Sequence, residues 1–425
     1  MPSDTPSSPS STPIDAGLLS PVTAGFDDAT SDAAILADLV AVEIALARAW
    51  EAVGTAPAEA VAAIEAALSD AASGATPAGT EDLSVSAVAH AARAGGNPVI
   101  PLVGALRTAV GGEAAAWVHR GATSQDVLDT ALVRTAHRTG GRILADLASA
   151  GRILGAFAAE HRDEVAVART LTQHAVPTTI GLRAAVWLRG VRRAESRLRE
   201  AVRELPVQLG GAAGTLASFV EIGGAEAAAA LPAAFAAELG LPAPDAPWHT
   251  TRWPVTELGD ALVQVDDALG VIAADVATLS RTEIGELAEG SGGGSSAMPQ
   301  KRNPAASVLI RSAAIRAPHL GATLHTAAAL AVDERPDGAW HAEWPALREL
   351  LRLTSGAAGT AVDLLSGLRV DRAAVARNLA LTGEDVLAER RALAAGDPLD
   401  PGDPAAYTGL AGALVDDAIA EAGES

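Results

Sequence analysis

Lys301 is the only lysine among the 31 lysine and arginine residues of this chain. It stands in Gly292-Gly293-Gly294-Ser295-Ser296-Ala297-Met298-Pro299-Gln300-Lys301-Arg302-Asn303-Pro304, where Met298 is the only methionine besides Met1. Arginine presents a wide planar fork and lysine a narrow point charge, so the exchange fails where a single carboxylate oxygen must be met in a tight pocket. A chain that is otherwise all arginine and keeps one ammonium here is expected to use it as a carboxylate anchor. The glycines before it read as a mobile loop, and Pro304 suits the first turn of a helix. A ligand carboxylate beside Lys301 would then lie near a helix N-terminus, where unpaired N–H groups and the macrodipole favour anions.

An anionic ligand has to reach a protein of formal net charge −21. Its site must therefore be a local island of cations, and nothing in the chain resembles the basic stripe of a nucleic-acid or anionic-membrane binder. The absence of cysteine excludes disulfides, thiolate metal sites and a cysteine nucleophile. No His-Glu-x-x-His pattern or Asp-rich loop appears, and the glycine run lacks a Gly-Lys-Ser/Thr ending, so neither a metal nor a nucleotide cofactor is expected. Residues 1–13 are Ser/Pro/Thr-rich without a basic residue or an apolar core, which reads as a disordered tail rather than a targeting peptide. Charges or prolines interrupt every Ala-rich run, so no membrane span is read and a soluble cytoplasmic protein is expected.

The elements that must position the motif are helices. Aromatics make up 3% of the 425 residues, and alanine and leucine dominate, which favours close-packed helices over strands. Ser31 to Val53 carries Ile35, Leu36, Leu39, Val42, Ile44 and Leu46 at helical spacing, and Pro57 to Leu68 repeats the pattern. Gly95-Gly96-Asn97-Pro98 is a turn. Longer helices are expected over Ser124 to Ala159, Thr178 to Glu204, Pro254 to Glu289, Pro304 to Leu330 and Pro345 to Leu365. Their length far exceeds the average of about 11 to 12 residues. The expectation is an all-α chain of three domains after the tail: residues 14–110, a central five-helix bundle over 111–366, and 367–425.

The lysine segment from Gly294 to Pro304 resembles the signature of the fumarase/aspartase superfamily. Gly121-Ala122-Thr123-Ser124-Gln125-Asp126-Val127-Leu128-Asp129-Thr130 resembles the first shared region of that superfamily, and Arg169-Thr170-Leu171-Thr172-Gln173-His174-Ala175-Val176-Pro177 the second. The resemblance implies a helical homotetramer whose active sites each combine the three regions from three subunits. It also implies proton transfer at a carbon next to a carboxylate, with loss or addition of a β substituent. In such a site Ser295 would be the base or acid at carbon, with Lys301 and helix N-termini supporting it, and glycines 292–294 the hinge of a closing loop. Asn303 would hold a carboxylate, Ser296 and Met298 line the same loop, and Thr123, Ser124, Thr170 and Gln173 match carboxylate-binding positions. Capping and turn formation are the alternative for these last four.

Departures from the pattern narrow the reaction. The water and amine lyases of the superfamily carry a histidine directly after the second-region threonine, held by an acid seven positions after the motif lysine. This chain has Leu171 and Val308 there. Hydroxide or an amine needs a strong acid to leave, whereas a carboxylate, with a conjugate-acid pKa of about 4, does not. The missing pair therefore points to lactone chemistry, and further segments (Gly17 to Val22, Leu205 to Thr215, Pro247 to Thr250 and Gly338 to Trp344) resemble the 3-carboxy-cis,cis-muconate cycloisomerases. Such an enzyme closes a tricarboxylate diene to a lactone in aromatic degradation. By that resemblance Ser295 gives the proton, Lys301 and Asn303 anchor the carboxylate bearing the developing charge, and Arg335, with Arg252 or Arg120, meets the others. His174 is the candidate to orient a carboxylate or relay a proton, and His119 joins it from beside Arg120. His249 and His341 are as readily packing residues. Thr23 and Asp333 depart from the cycloisomerase pattern. An adenylosuccinate-type lyase fits the lysine signature equally and is disfavoured by Leu171 and Val308; a silent scaffold is disfavoured by the intact Ser295, Lys301 and Asn303.

Overall fold

The computed structural model describes residues 17–74, 81–290, 293–294, 298, 300–393 and 402–423. Helices run over α1 (Asp32–Ala52), α2 (Ala58–Ala72), α3 (Val85–Gly95), α4 (Val99–Val110), α5 (Ser124–Glu160) and α6 (Ile180–Arg203). They continue with α7 (Ala217–Leu239), α8 (Trp253–Leu279), α9 (Ala305–Ala329), α10 (Gly338–Ser366), α11 (Arg372–Leu381), α12 (Ala388–Leu393) and α13 (Ala411–Gly423). The strands among the described residues are β1 (Val165–Thr170), β2 (Gln173–Thr179), β3 (Leu287–Ala288) and β4 (Arg369–Val370). The fold is all-α in class, with two small antiparallel ribbons, β1 with β2 and β3 with β4. Two compact units form, one of Met1–Gly140, Glu200–Gly259 and Leu320–Arg352, the other of Gly141–Arg199, Asp260–His319 and Leu353–Ser425.

In the first unit, Ser31 caps α1 by accepting the Ala34 N–H at 3.2 Å. The buried stripe of α1 includes Leu39, Leu46 and Trp50, and the Trp50 ring meets Trp117 and Phe219 edge-on at 6.4 and 5.8 Å. Asp38, buried on the same helix, accepts from Thr135 at 2.7 Å and from both terminal nitrogens of Arg138 at 3.0 and 2.8 Å, which ties α1 to α5. Among the described residues, α7 alone is long and apolar enough to cross a bilayer by length and composition. Its Phe219, Leu231 and Phe235 are buried in the core of this unit.

In the second unit, β1 and β2 pair from Val165 opposite Thr179 to Thr170 opposite Gln173. The turn between them places Leu171 and Thr172 at φ 48° and 70°, the left-handed backbone a two-residue hairpin loop requires. Gly181 lets the start of α6 approach the preceding turn: a Cβ there would lie 2.6 Å from the Arg162 Cα. Gly290 and Gly367 meet backbone to backbone, with 2.7 Å from a Gly290 Cβ to the Gly367 Cα. The chain between β3 and α9 is closed by Gly293 and Asn303, each donating its N–H to the other's carbonyl at 2.8 Å.

The helices α5, α6 and α9 follow the sequence expectation. Helix α8 ends at Leu279 instead of continuing to Glu289: the Arg281 N–H already turns to Thr278 O at 3.2 Å, and a turn with Gly285 at φ 65° brings the Glu286 N–H back to Leu279 O at 2.9 Å before the chain extends into β3. Helix α10 starts at Gly338 and carries Pro345 inside it, so that proline does not open the helix. Helix α7 was not among the expected long helices; Gly224, at φ 80°, and Pro232 interrupt the pattern that would have revealed it.

Candidate active site

The first region is built around Asp126. Its carboxylate accepts the N–H groups of Thr123 at 3.0 Å, Gly210 at 2.9 Å and Gly211 at 3.0 Å, and meets His249 Nε2 at 2.8 Å. Four donors on one buried carboxylate fix the start of α5 against the 210–211 turn. Thr123 and Ser124 are presented there, and the Arg335 guanidinium bonds the Thr123 hydroxyl while donating to Ala212 O at 2.7 Å. Thr123 and Arg335, expected to share a site, are thus in direct contact. Gly121, at φ 80°, keeps the loop tight; a Cβ there would stand 2.7 Å from the Phe219 ring.

His119 and Arg120 lie just before this turn. His119 Nδ1 meets Glu43 Oε1 at 2.7 Å. Burial alone would lower the imidazole pKa, and the Glu43 carboxylate, with Asp126 behind it, more than reverses that, so the pKa is raised. The Arg120 guanidinium stacks over Trp117 at 5.3 Å. Sequence reasoning missed Glu43 and Asp126. The signal for Glu43 was there: it occupies the apolar stripe of α1 between Leu39 and Leu46, where a lone acid has to be paired.

Arg252 is corrected. Expected to meet a substrate carboxylate, it is 3% exposed and its fork is engaged within the chain. Nε and one terminal nitrogen bond Glu343, at 3.1 and 2.6 Å, and the terminal nitrogens bond Asp129 at 2.7 and 3.1 Å. Burial opposes the Arg252 charge, and the two carboxylates restore it and hold its pKa above the ordinary arginine range. A terminal nitrogen also reaches Trp248 O at 3.4 Å, which leaves no donor for a ligand. His249 supports Asp126, and His341 tilts against Trp344 at 4.5 Å.

The second and third regions belong to the second unit. Thr170 and Gln173 face each other at the hairpin tip, and Leu171 between them is 96% exposed. Arg169 anchors the hairpin through a bidentate pair with Glu286 at 2.9 and 2.5 Å, and Glu286 also accepts from Asn378 at 2.8 Å. His174 Nδ1 bonds the Thr382 hydroxyl at 2.7 Å, which orients its ring. In the third region Lys301 and Met298 are exposed and Asn303 is half-buried, its amide 3.4 Å from Gly294 O. Ser295 and Ser296, expected to carry the proton transfer and line the loop, lie outside the described residues.

The helix start behind the lysine is also corrected. The α9 N–H groups of Ala306 and Ser307 donate to the Glu289 carboxylate at 3.1 and 2.9 Å, with the Ser307 hydroxyl at 2.6 Å, and Ala305 N–H donates to Asn303 O at 2.9 Å. A protein carboxylate fills the place assigned to the ligand. A cavity of about 340 Å³ opens beside it, bordered by Glu289, Gly290, Arg302, Asn303, Pro304 and Arg369.

A model of the family described as Lyase matches residues 22–318. Nitrosuccinate lyase of Streptomyces davaonensis is 48% identical over 388 residues, covering 89% of this chain and 80% of that protein. The 3-carboxy-cis,cis-muconate cycloisomerase of Bradyrhizobium diazoefficiens is 42% identical over 381 residues, covering 88% and 81%. Among solved structures, 3-carboxy-cis,cis-muconate lactonizing enzyme from Pseudomonas putida superposes with a TM-score of 0.84 at 34% identity, covering 96% of this chain and 99% of that one. Together with the three sequence regions, these matches make the chain a member of the lyase family within the fumarase/aspartase superfamily.

Proposed function

We propose that the chain is a cycloisomerase that converts 3-carboxy-cis,cis-muconate to 4-carboxymuconolactone as a soluble, cytoplasmic homotetramer. A carboxylate of the substrate adds across a double bond, and the carbon next to another carboxylate takes up a proton. Ser295 delivers that proton; Lys301 and Asn303 hold the carboxylate on which charge develops, and Arg335 with Thr123 and Ser124 holds a second. Thr170, Gln173 and His174 bind from the hairpin, and Arg120 adds positive charge. Such charge stabilisation is most effective where the donors are fixed before the reaction, as Arg335 is by Ala212 O.

The observation that carries this reading is the character of Leu171 and Val308. A bare, 96% exposed leucine on the hairpin tip and an exposed valine on α9 replace the histidine and acid with which the superfamily's water and amine lyases protonate a poor leaving group, which favours an entering or leaving group that is itself a weak base. The 48% identity to nitrosuccinate lyase favours a second substrate within the same chemistry. Loss of nitrite from nitrosuccinate also expels a weakly basic anion β to a carboxylate, giving an unsaturated dicarboxylate.

Incubation with each substrate separates the two. Loss of diene absorbance with 3-carboxymuconate supports the cycloisomerase; nitrite release from nitrosuccinate without diene loss transfers the assignment to the second substrate. Turnover of neither overturns the proposal. A Ser295→Ala variant is expected to lose nearly all activity, and retention of most of it removes that residue from the mechanism.

A further inference from the structure

We propose that Glu43 is a positioning residue of the active site, whose buried carboxylate holds the His119 imidazole so that its Nε2–H anchors a substrate carboxylate. The inference rests on the functional reading above for the presence of a carboxylate substrate at the first region; the Glu43–His119 pair itself does not.

Glu43 is 1% exposed on the apolar stripe of α1. An ionised carboxylate in such a place is stable only beside a compensating charge. One oxygen meets His119 Nδ1 at 2.7 Å and the other has no protein partner. A neutral imidazole would leave a full buried charge matched by a single hydrogen bond, whereas an imidazolium matches it. The remaining charges facing the ring are Asp126, which adds to the effect of Glu43, and Arg107, which opposes it.

The backbone is arranged to keep the ring there. His119 sits at φ 58°, a left-handed conformation that is strained for a non-glycine residue and persists only where neighbours impose it. Those neighbours are visible on both sides: Arg107 donates to Val118 O at 3.1 Å and the Trp50 indole donates to Arg120 O at 3.0 Å. With Nδ1 turned to Glu43, the one polar atom left on a side chain 16% exposed is Nε2. It belongs to the same short loop as Thr123, which Arg335 touches. The superfamily's histidine and its acid are replaced by Leu171 and Val308, yet this chain keeps a different acid–histidine pair beside its first region.

The test is a Glu43→Gln variant with kcat and KM measured separately from pH 6 to pH 9 on whichever substrate the wild type consumes. The expected result is a KM raised about tenfold at pH 8 that returns toward the wild-type value near pH 6, where the imidazole is protonated without help. An unchanged KM at all pH values, or the same rise at every pH, overturns the proposal. His119→Gln gives the second reading: a raised KM without the pH dependence supports the pair, and a wild-type KM excludes it. If the wild type turns over neither substrate, the functional reading fails, and the pair is read by NMR titration of the imidazole, assigned through His119→Gln. A lower midpoint in Glu43→Gln sustains the Glu43–His119 pair, and an unchanged one removes it.

Discussion

Two cations show how far residue type alone carries an argument. Lys301 is exposed in the described structure, within reach of a ligand. Lys301→Arg is expected to fold normally and lose at least about a hundredfold in kcat/KM, because a planar fork does not replace a point charge in a tight site; near-wild-type kinetics would show that charge alone was required. Arg252 is the opposite case. It looked equally fit for a carboxylate, but its carboxylates are Asp129 and Glu343, and a sequence cannot reveal which of several acids a fold brings to an arginine. Arg252→Met leaves those two acids buried without their cation and is expected to cost roughly 3–5 kcal/mol of stability, measured as a lower midpoint in urea. A midpoint within error of wild type would mean the acids find other compensation.

At the scale of elements, legibility followed periodicity. Helices α1, α5, α6 and α9 were readable because their apolar positions keep helical spacing over long spans, even past Gly140-Gly141 in α5 and Pro318 in α9, whereas in α7 the backbone itself breaks helical geometry at Gly224, and the β1–β2 hairpin was hidden by its turn of Leu171 and Thr172, which lacks the glycine that usually marks one. The motifs were legible as strings, but of the carboxylates that hold them in place Asp126, Glu286 and Glu289 were not, since each is one acid on an ordinary helix or loop until the fold supplies its donors; Glu43 did carry a signal, as an acid on the apolar stripe of α1. Helix α8 contains a further case with a measurable consequence. Asp266 is fully buried, accepts from Thr354 Oγ1 at 2.7 Å, and is pushed up to about 7, by burial first and with Asp267 adding to it against the pull of the Thr354 bond. The folded state therefore holds a proton that the unfolded chain releases near pH 4. Stability from this group is complete below that pH, falls as pH rises toward 7, and is flat above, on the order of 4 kcal/mol in all. Asp266→Asn should remove the slope and be the more stable protein at pH 8. Parallel pH profiles of the unfolding midpoint for the two proteins would refute the protonated carboxyl.

For the whole molecule, the net charge of −21 disfavours the approach of a tricarboxylate, so affinity must come from cations gathered locally. Thr123 and Arg335 belong to one compact unit, and His174, Lys301 and Asn303 to the other. On the proposed homotetrameric reading, each site takes its three regions from three subunits, which makes assembly a condition of activity. Mixing two inactive variants tests this. Arg335→Ala removes a first-region contact and Lys301→Arg the third-region anchor, and each alone is expected to be nearly silent. After joint dissociation and reassembly of equal amounts, roughly one site in four receives a wild-type first region from one subunit and a wild-type third region from another. Activity near a quarter of wild type is then expected from two proteins that have almost none, while co-incubation without dissociation should yield less. If each site were built within a single chain, every subunit would carry one lesion and reassembly would restore nothing, so a silent mixture of correctly assembled protein defeats the shared-site reading.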